Sequence, residues 1–305
     1  NVQYAGSSNG QAFFQQFYGP SGTFGIELDG AQRTFDIDNS STLAEGVPEM
    51  VVDTRIAIGS PAGGSLRKTG TGLLQLTDNN TYTGGTIIDG GAIQVSAINA
   101  PAQTNLTGAF SSYPTLVTFN QPVAKNMAVR QVIRSATNTG ITSSRNITEI
   151  LNDYQIITTG TGGSPRSTDI IVDAISRSGN LGTGPVVVNN TGTLQVDAGI
   201  GLTNAVAVTS GGTISASGAG IGRLAITNGT FVATLATGAL TVSNTVSLSG
   251  ATLSLSGKAG KTPTTILTAS SITGKFATIP ERVSVLYYPT FITVGQSGGT
   301  IIVVR

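Results

Sequence analysis

Cysteine, histidine and tryptophan are absent from this 305-residue sequence, and only 10% of its residues carry charge. Without histidine or cysteine there is no Ser-His-Asp triad, no thiol nucleophile, no zinc site of the usual kind and no disulfide framework. Carboxylates, Lys, Arg and Tyr remain for any chemistry. Sixteen Lys and Arg against fifteen Asp and Glu leave a net charge of +1, so no overall field marks a nucleic-acid or anionic-membrane binder. No window approaches the ~18 uninterrupted apolar residues of a transmembrane helix. The chain opens on Asn1-Val2-Gln3-Tyr4 with no basic, apolar leader, and the expectation is a secreted chain whose signal peptide has been removed.

Glycine is abundant instead: 41 residues, roughly twice the usual share. With so much Gly, Thr, Ser, Asn and Val, helix interiors are disfavoured. A short unit of two alternating strands around a Gly or Asn corner returns along the chain. It reads Thr86-Ile-Ile-Asp-Gly-Gly-Ala-Ile-Gln-Val95 and Val186-Val-Val-Asn-Asn-Thr-Gly-Thr-Leu-Gln-Val196, and begins again at Val206, Leu224 and Val246, with a late copy over Ile292–Val303. The starts at 186, 206, 224 and 246 are 20, 18 and 22 residues apart. A period near 20 is that of a solenoid rung.

Within each unit the alternation has period two, so Val186 and Val188 point one way while polar neighbours point the other. One rung cannot bury its apolar side alone. Stacked about 4.8 Å apart, rungs pair their backbones and line up Val, Ile and Leu in inward ladders. The predicted fold is therefore all-β: a parallel β-helix, or β-solenoid, of roughly 20 residues per rung with one inserted subdomain.

Leu66-Arg-Lys-Thr-Gly-Thr-Gly-Leu-Leu-Gln-Leu76, followed by Thr77-Asp-Asn-Asn-Thr-Tyr-Thr-Gly-Gly-Thr-Ile87, resembles the passenger-associated strand repeat of autotransporter-type secreted β-helix proteins. Leu66, Lys68, Gly70, Gly72, Leu74, Leu76, Tyr82, Gly84 and Thr86 occupy the matching positions. Leu181–Val188 and the stretch from Gly274 to Val304 look like further parts of the same family. The resemblance implies a secreted β-helix and, in a typical member, a following membrane β-barrel that is not found here. That leaves a released passenger or a free-standing secreted protein as expectations.

By texture the chain divides into a 1–50 aromatic cap or docking segment, a 51–98 β-helix with the repeat, a 99–178 inserted subdomain or arm, 179–273 rungs and 274–305 closing strands. Phe13, Phe14, Phe17 and Tyr18 form either an amphipathic helix or a strand over the first rung. In the insertion, Thr115–Phe119 and Met127–Ile133 are strand candidates. A helix is expected from about Asn146 to Tyr154, with Ile147, Ile150, Leu151 and Tyr154 on one side.

Asp36 and Asp38 would lie on one side of a strand, as a Ca²⁺ site or a carboxylate pair, but no third ligand stands at recognisable spacing and a solvated strand face is favoured. Arg67-Lys68 would attract an anion, but Lys68 belongs to the repeat and a structural role is favoured. A glycan-active site would need Arg130, Arg134, Arg145, Glu149, Asp153 and Asp169 to converge. No catalytic residue, metal or cofactor is assigned.

The apolar end Ile301, Ile302, Val303 and Val304 lacks the polar cap that solenoids usually carry. From it follows the functional expectation: a structural subunit of an extracellular filament, tube or sheath, polymerising by strand exchange between copies. Phe13, Phe14, Phe17, Tyr18, Ile147, Ile150, Leu151 and Tyr154 complete the candidate assembly residues. The alternatives are a monomeric passenger acting as an adhesin, with cell-surface glycans as partners, and a glycan-active enzyme.

Overall fold

The computed structural model describes residues 2–4, 11–15, 26–57, 62–106, 108–110, 115–120, 122, 124, 127, 131–135, 145–158 and 170–297. Among them there is no α-helix, and the chain divides into two compact units.

The first unit draws on Asn1–Gln16, Gly25–Ser96 and Ser178–Arg305. It is a parallel β-helix. Each turn puts one strand into a long sheet and the next into a shorter one. The long sheet runs Val2–Tyr4, Gln32–Ile37, Ser65–Thr69, Thr86–Ile88, Val186–Val188, Ala205–Val208, Arg223–Thr227, Leu240–Ser249 and Thr264–Gly274, all in parallel. The shorter sheet stacks Ala12–Gln15, Met50–Asp53, Leu73–Leu76, Ala92–Val95, Thr193–Val196, Thr213–Ser215, Thr230–Thr234 and Thr252–Ser256. Short bridges such as Ile26–Glu27 with Ile56–Ala57 contribute to a third side.

The register follows the repeat read from the sequence. Val186 pairs with Val206, Val206 with Leu224, and Leu224 with Val246. These columns are fully or almost fully buried, and each such side chain contributes about 1.5–3 kcal/mol by leaving water. Thr86 pairs with Val186 although 100 residues separate them. Gly179 N–H donates to Ser96 O at 2.9 Å, so the chain returns to the stack beside the place it left.

The second unit includes Ala97–Arg177. Its seven-stranded antiparallel sheet has the order Gln103–Leu106, Ile170–Val172, Val132–Ser135, Arg145–Asn152, Gln155–Thr158, Thr115–Phe119 and Gly108–Phe110. The two edge strands are successive in the chain. A core of Val117, Phe119, Ala124, Met127, Ile133, Ile147, Ile156, Ile170 and Val172 fills the unit.

Two expectations change here, and one open alternative is decided. The helix over 146–154 is a strand, Arg145–Asn152, paired with Gln155–Thr158. Cross-strand partners for the β-branched Ile147 and Ile150 outweigh the helical spacing, and Asn152 Oδ1 accepts from Tyr154 N–H at 2.9 Å to make the turn. The four residues therefore do not share a face: Ile147 is buried, while Leu151 and Tyr154 are exposed. The N-terminal aromatic run takes its strand alternative over Ala12–Gln15, with Phe13 opposite Val51 and Phe14 opposite Val52. The late copy near residue 292 is not another parallel rung. Phe291–Gln296 lies antiparallel between Thr264–Gly274 and Val283–Tyr287. The tyrosine- and proline-bearing turn Tyr288-Pro289-Thr290 reverses the chain there.

Candidate functional site: the repeat rung and its corner

Alternation places Arg67 and Lys68 on opposite sides of the strand Ser65–Thr69. Arg67 faces outward, where its Nε donates to Asp89 Oδ2 at 2.7 Å in the next turn. Asn189 Nδ2 donates to Asp89 Oδ1 at 2.9 Å, and Thr209 Oγ1 to Asn189 Oδ1 at 2.7 Å. One hydrogen-bonded line thus crosses four turns. Burial pushes the Asp89 carboxyl up, but the bonds from Asn189 and Arg67 and the Arg67 charge together hold it below its ordinary value.

Lys68 faces inward and is fully buried, in a column between Phe35 and Ile88. Its Nζ donates to the carbonyls of Thr69, Gly70 at 3.2 Å, Gly90 at 3.3 Å and Ile37 at 3.4 Å. Desolvation brings its pKa down to about 8, against the opposing pull of Asp36, Glu49 and Asp38. The carbonyls meet there because the corners are tight. A Cβ on Gly70, at φ +72°, would stand 2.4 Å from Ile37 O, and one on Gly91 would stand 2.3 Å from Gly72 O.

Glu49 is also buried, and its carboxylate accepts from the N–H groups of Leu73 at 2.6 Å and Ser40 at 3.1 Å. Beside it, an open groove is lined by Asn39, Thr71, Leu73, Thr193 and Gln195. Where the third side meets the long sheet, Tyr82 and Thr86, both buried, share a hydrogen bond of 2.6 Å. Asn80 accepts from Ile56 N–H at 2.8 Å and donates to Asn180 O at 2.6 Å.

Residues 66–95 match the passenger-associated-transport-repeat model. The geometry explains the positions that resemble this repeat. Leu66, Leu74 and Leu76 fill the core, Gly70 and Gly72 permit the corner, Lys68 satisfies the corner's carbonyls, and Tyr82 closes on Thr86. The matched stretch is one full turn and both sheet strands of the next. Comparison with curated proteins gives no match.

Of the other candidates, Asp36 accepts from the Thr69 hydroxyl at 2.8 Å, and Asp38 is exposed beyond the strand. No group of three potential metal ligands occurs among the described residues. Asp153 is exposed in a hairpin turn, whereas Arg130 and Asp169 lie outside the described residues. Phe17, Tyr18, Ile301, Ile302, Val303 and Val304 also lie outside them. No helix among the described residues is long and apolar enough to cross a membrane. Sequence reasoning missed Glu49, whose only signal is a carboxylate set directly against the apolar run Met50-Val51-Val52. It also missed the Tyr82–Thr86 bond, although both residues stand in the repeat pattern.

Proposed function

We propose that the chain is a passenger-type domain of the autotransporter kind, carried to the cell exterior and displayed or released there as a non-catalytic β-helix. The match over residues 66–95 carries this reading, and the stacked rungs on both sides of it support it. The strands from Val186 onward present mostly Thr, Ser, Ala and Asn to solvent, which suits a neutral surface that holds or spaces rather than transforms. Acting as an adhesin is the role that follows, with the exposed Leu151 and Tyr154 of the second unit's hairpin as a contact point.

The test is surface delivery. The chain, given a signal peptide and an autotransporter barrel in a Gram-negative host, should become accessible to added protease on intact cells. Retention in the periplasm of a folded, protease-resistant chain would overturn the reading.

Self-association into a filament is a second reading. Val283–Tyr287 ends the long sheet with one described neighbour. Leu286 within it and Tyr288 directly after it are 48% and 41% exposed, and such an edge recruits strands. Sedimentation of the purified chain as a monomer at all concentrations would reject it.

A further inference from the structure

Every other inward position of the long-sheet column that contains Lys68, from Phe35 through Ile88, Val188, Val208 and Ile226, is apolar. An aliphatic residue in such a column loses contact area by degrees when a neighbouring turn lifts away. An ammonium behaves differently. It has three protons to satisfy, and an unpaired one in a dry interior is costly. The acceptors of Lys68 belong to three successive turns: Ile37 in the turn before, Thr69 and Gly70 in its own, and Gly90 in the turn after. The charged groups that bear on it, Asp36, Asp38 and Glu49, come from the turn before. No ion pair replaces the carbonyls: the described ion pairs are Arg33–Asp29 and Arg67–Asp89.

We propose that Lys68 makes the seating of these three turns mutually conditional, so that the repeat rung closes only when the turn on each side of it is in place. A buried ammonium adds little or nothing to net stability, and an apolar substitute of similar length is often neutral or stabilising. What the lysine supplies is coupling. Three amides report it: Gly72 N–H on Ile37 O at 2.7 Å, Asp89 N–H on Lys68 O at 3.0 Å, and Ala92 N–H on Gly72 O at 3.1 Å. Thr209 and Gly212, whose amides close a corner with no lysine, are the controls.

Native-state hydrogen exchange on the whole chain tests this. In the wild type the three reporter amides should open together, with one denaturant dependence. In Lys68→Met they should split into separate openings, with exchange at Gly72 rising about tenfold, while the pH 7 melting temperature holds or rises. The controls should not change. Independent opening of the three amides in the wild type overturns the proposal, as does shared opening that survives in Lys68→Met. If that variant does not fold, the wild type still decides, because shared opening should weaken from pH 7 to pH 9 as the amine loses its proton, and unchanged coupling there counts against the proposal. The result stands apart from surface delivery, since neither experiment depends on the other.

Discussion

The hydroxyls of Tyr82 and Thr86 meet at 2.6 Å inside the repeat, in a column where Thr86 lies between Leu66 and Val186. Both are buried, and among the described residues neither has another side-chain partner. Tyr82→Phe should therefore destabilise the fold by about 1–3 kcal/mol, because it strands the Thr86 hydroxyl. Adding Thr86→Val should recover most of that loss. Urea denaturation of the two single variants and the double variant measures it, and simple additivity would show that the bond carries no coupling.

Lys68 and Tyr82 set opposite slopes in alkaline solution. The folded Lys68 titrates at about 8 and the unfolded one near 10.5, so between those values the unfolded chain holds the extra proton and stability rises with pH. The gain is bounded at about 3 kcal/mol. Burial raises Tyr82 above its ordinary 10.0, so above pH 10 the unfolded chain loses a proton that the folded one keeps, and stability falls. Unfolding free energies at pH 7, 8.5, 10 and 11 should pass through a maximum near 10. Lys68→Met should flatten the rising limb and leave the falling one.

Glycine substitutions separate backbone strain from close packing. Gly46 has φ +82° and nothing within 4 Å of the place a methyl group would take, whereas Gly70 at φ +72° faces Ile37 O at 2.4 Å. Gly46→Ala should cost about 1 kcal/mol from the left-handed backbone alone. Gly70→Ala should cost clearly more, because two turns must move apart. Equal shifts in thermal melting would refute the close approach as the reason for Gly70.

In the second unit, Ile147→Ala should cost about 2–5 kcal/mol by opening a cavity in the core. Leu151→Ser with Tyr154→Ser should stay within about 0.5 kcal/mol, since both are surface positions. A helix with all three on one buried face would give comparable losses, so melting curves distinguish the two arrangements.

The inward columns and their register were legible in the sequence because both depend on a local period: Val186, Val206, Leu224 and Val246 recur at a spacing that stacking preserves. The repeat was legible through glycines that only a tight corner requires. Arg145–Asn152 was misread because Ile147, Ile150, Leu151 and Tyr154 satisfy helical spacing as well as a strand ending in a turn, and the pairing with Gln155–Thr158 that decides between them is not encoded in the spacing. The antiparallel course of Phe291–Gln296 escaped for a similar reason: alternation fixes which side a residue faces and says nothing of strand direction. Glu49 gave only the weak signal of a carboxylate beside an apolar run, since the backbone N–H of Leu73 that binds its carboxylate opens a strand 24 residues away.

Thr86 and Val186 sit side by side as though the excursion between Ser96 and Gly179 had never been written. A stack built this way keeps count in layers, so the excursion that leaves after Ser96 and returns at Gly179 does not disturb the tally. The scaffold is in that sense a socket.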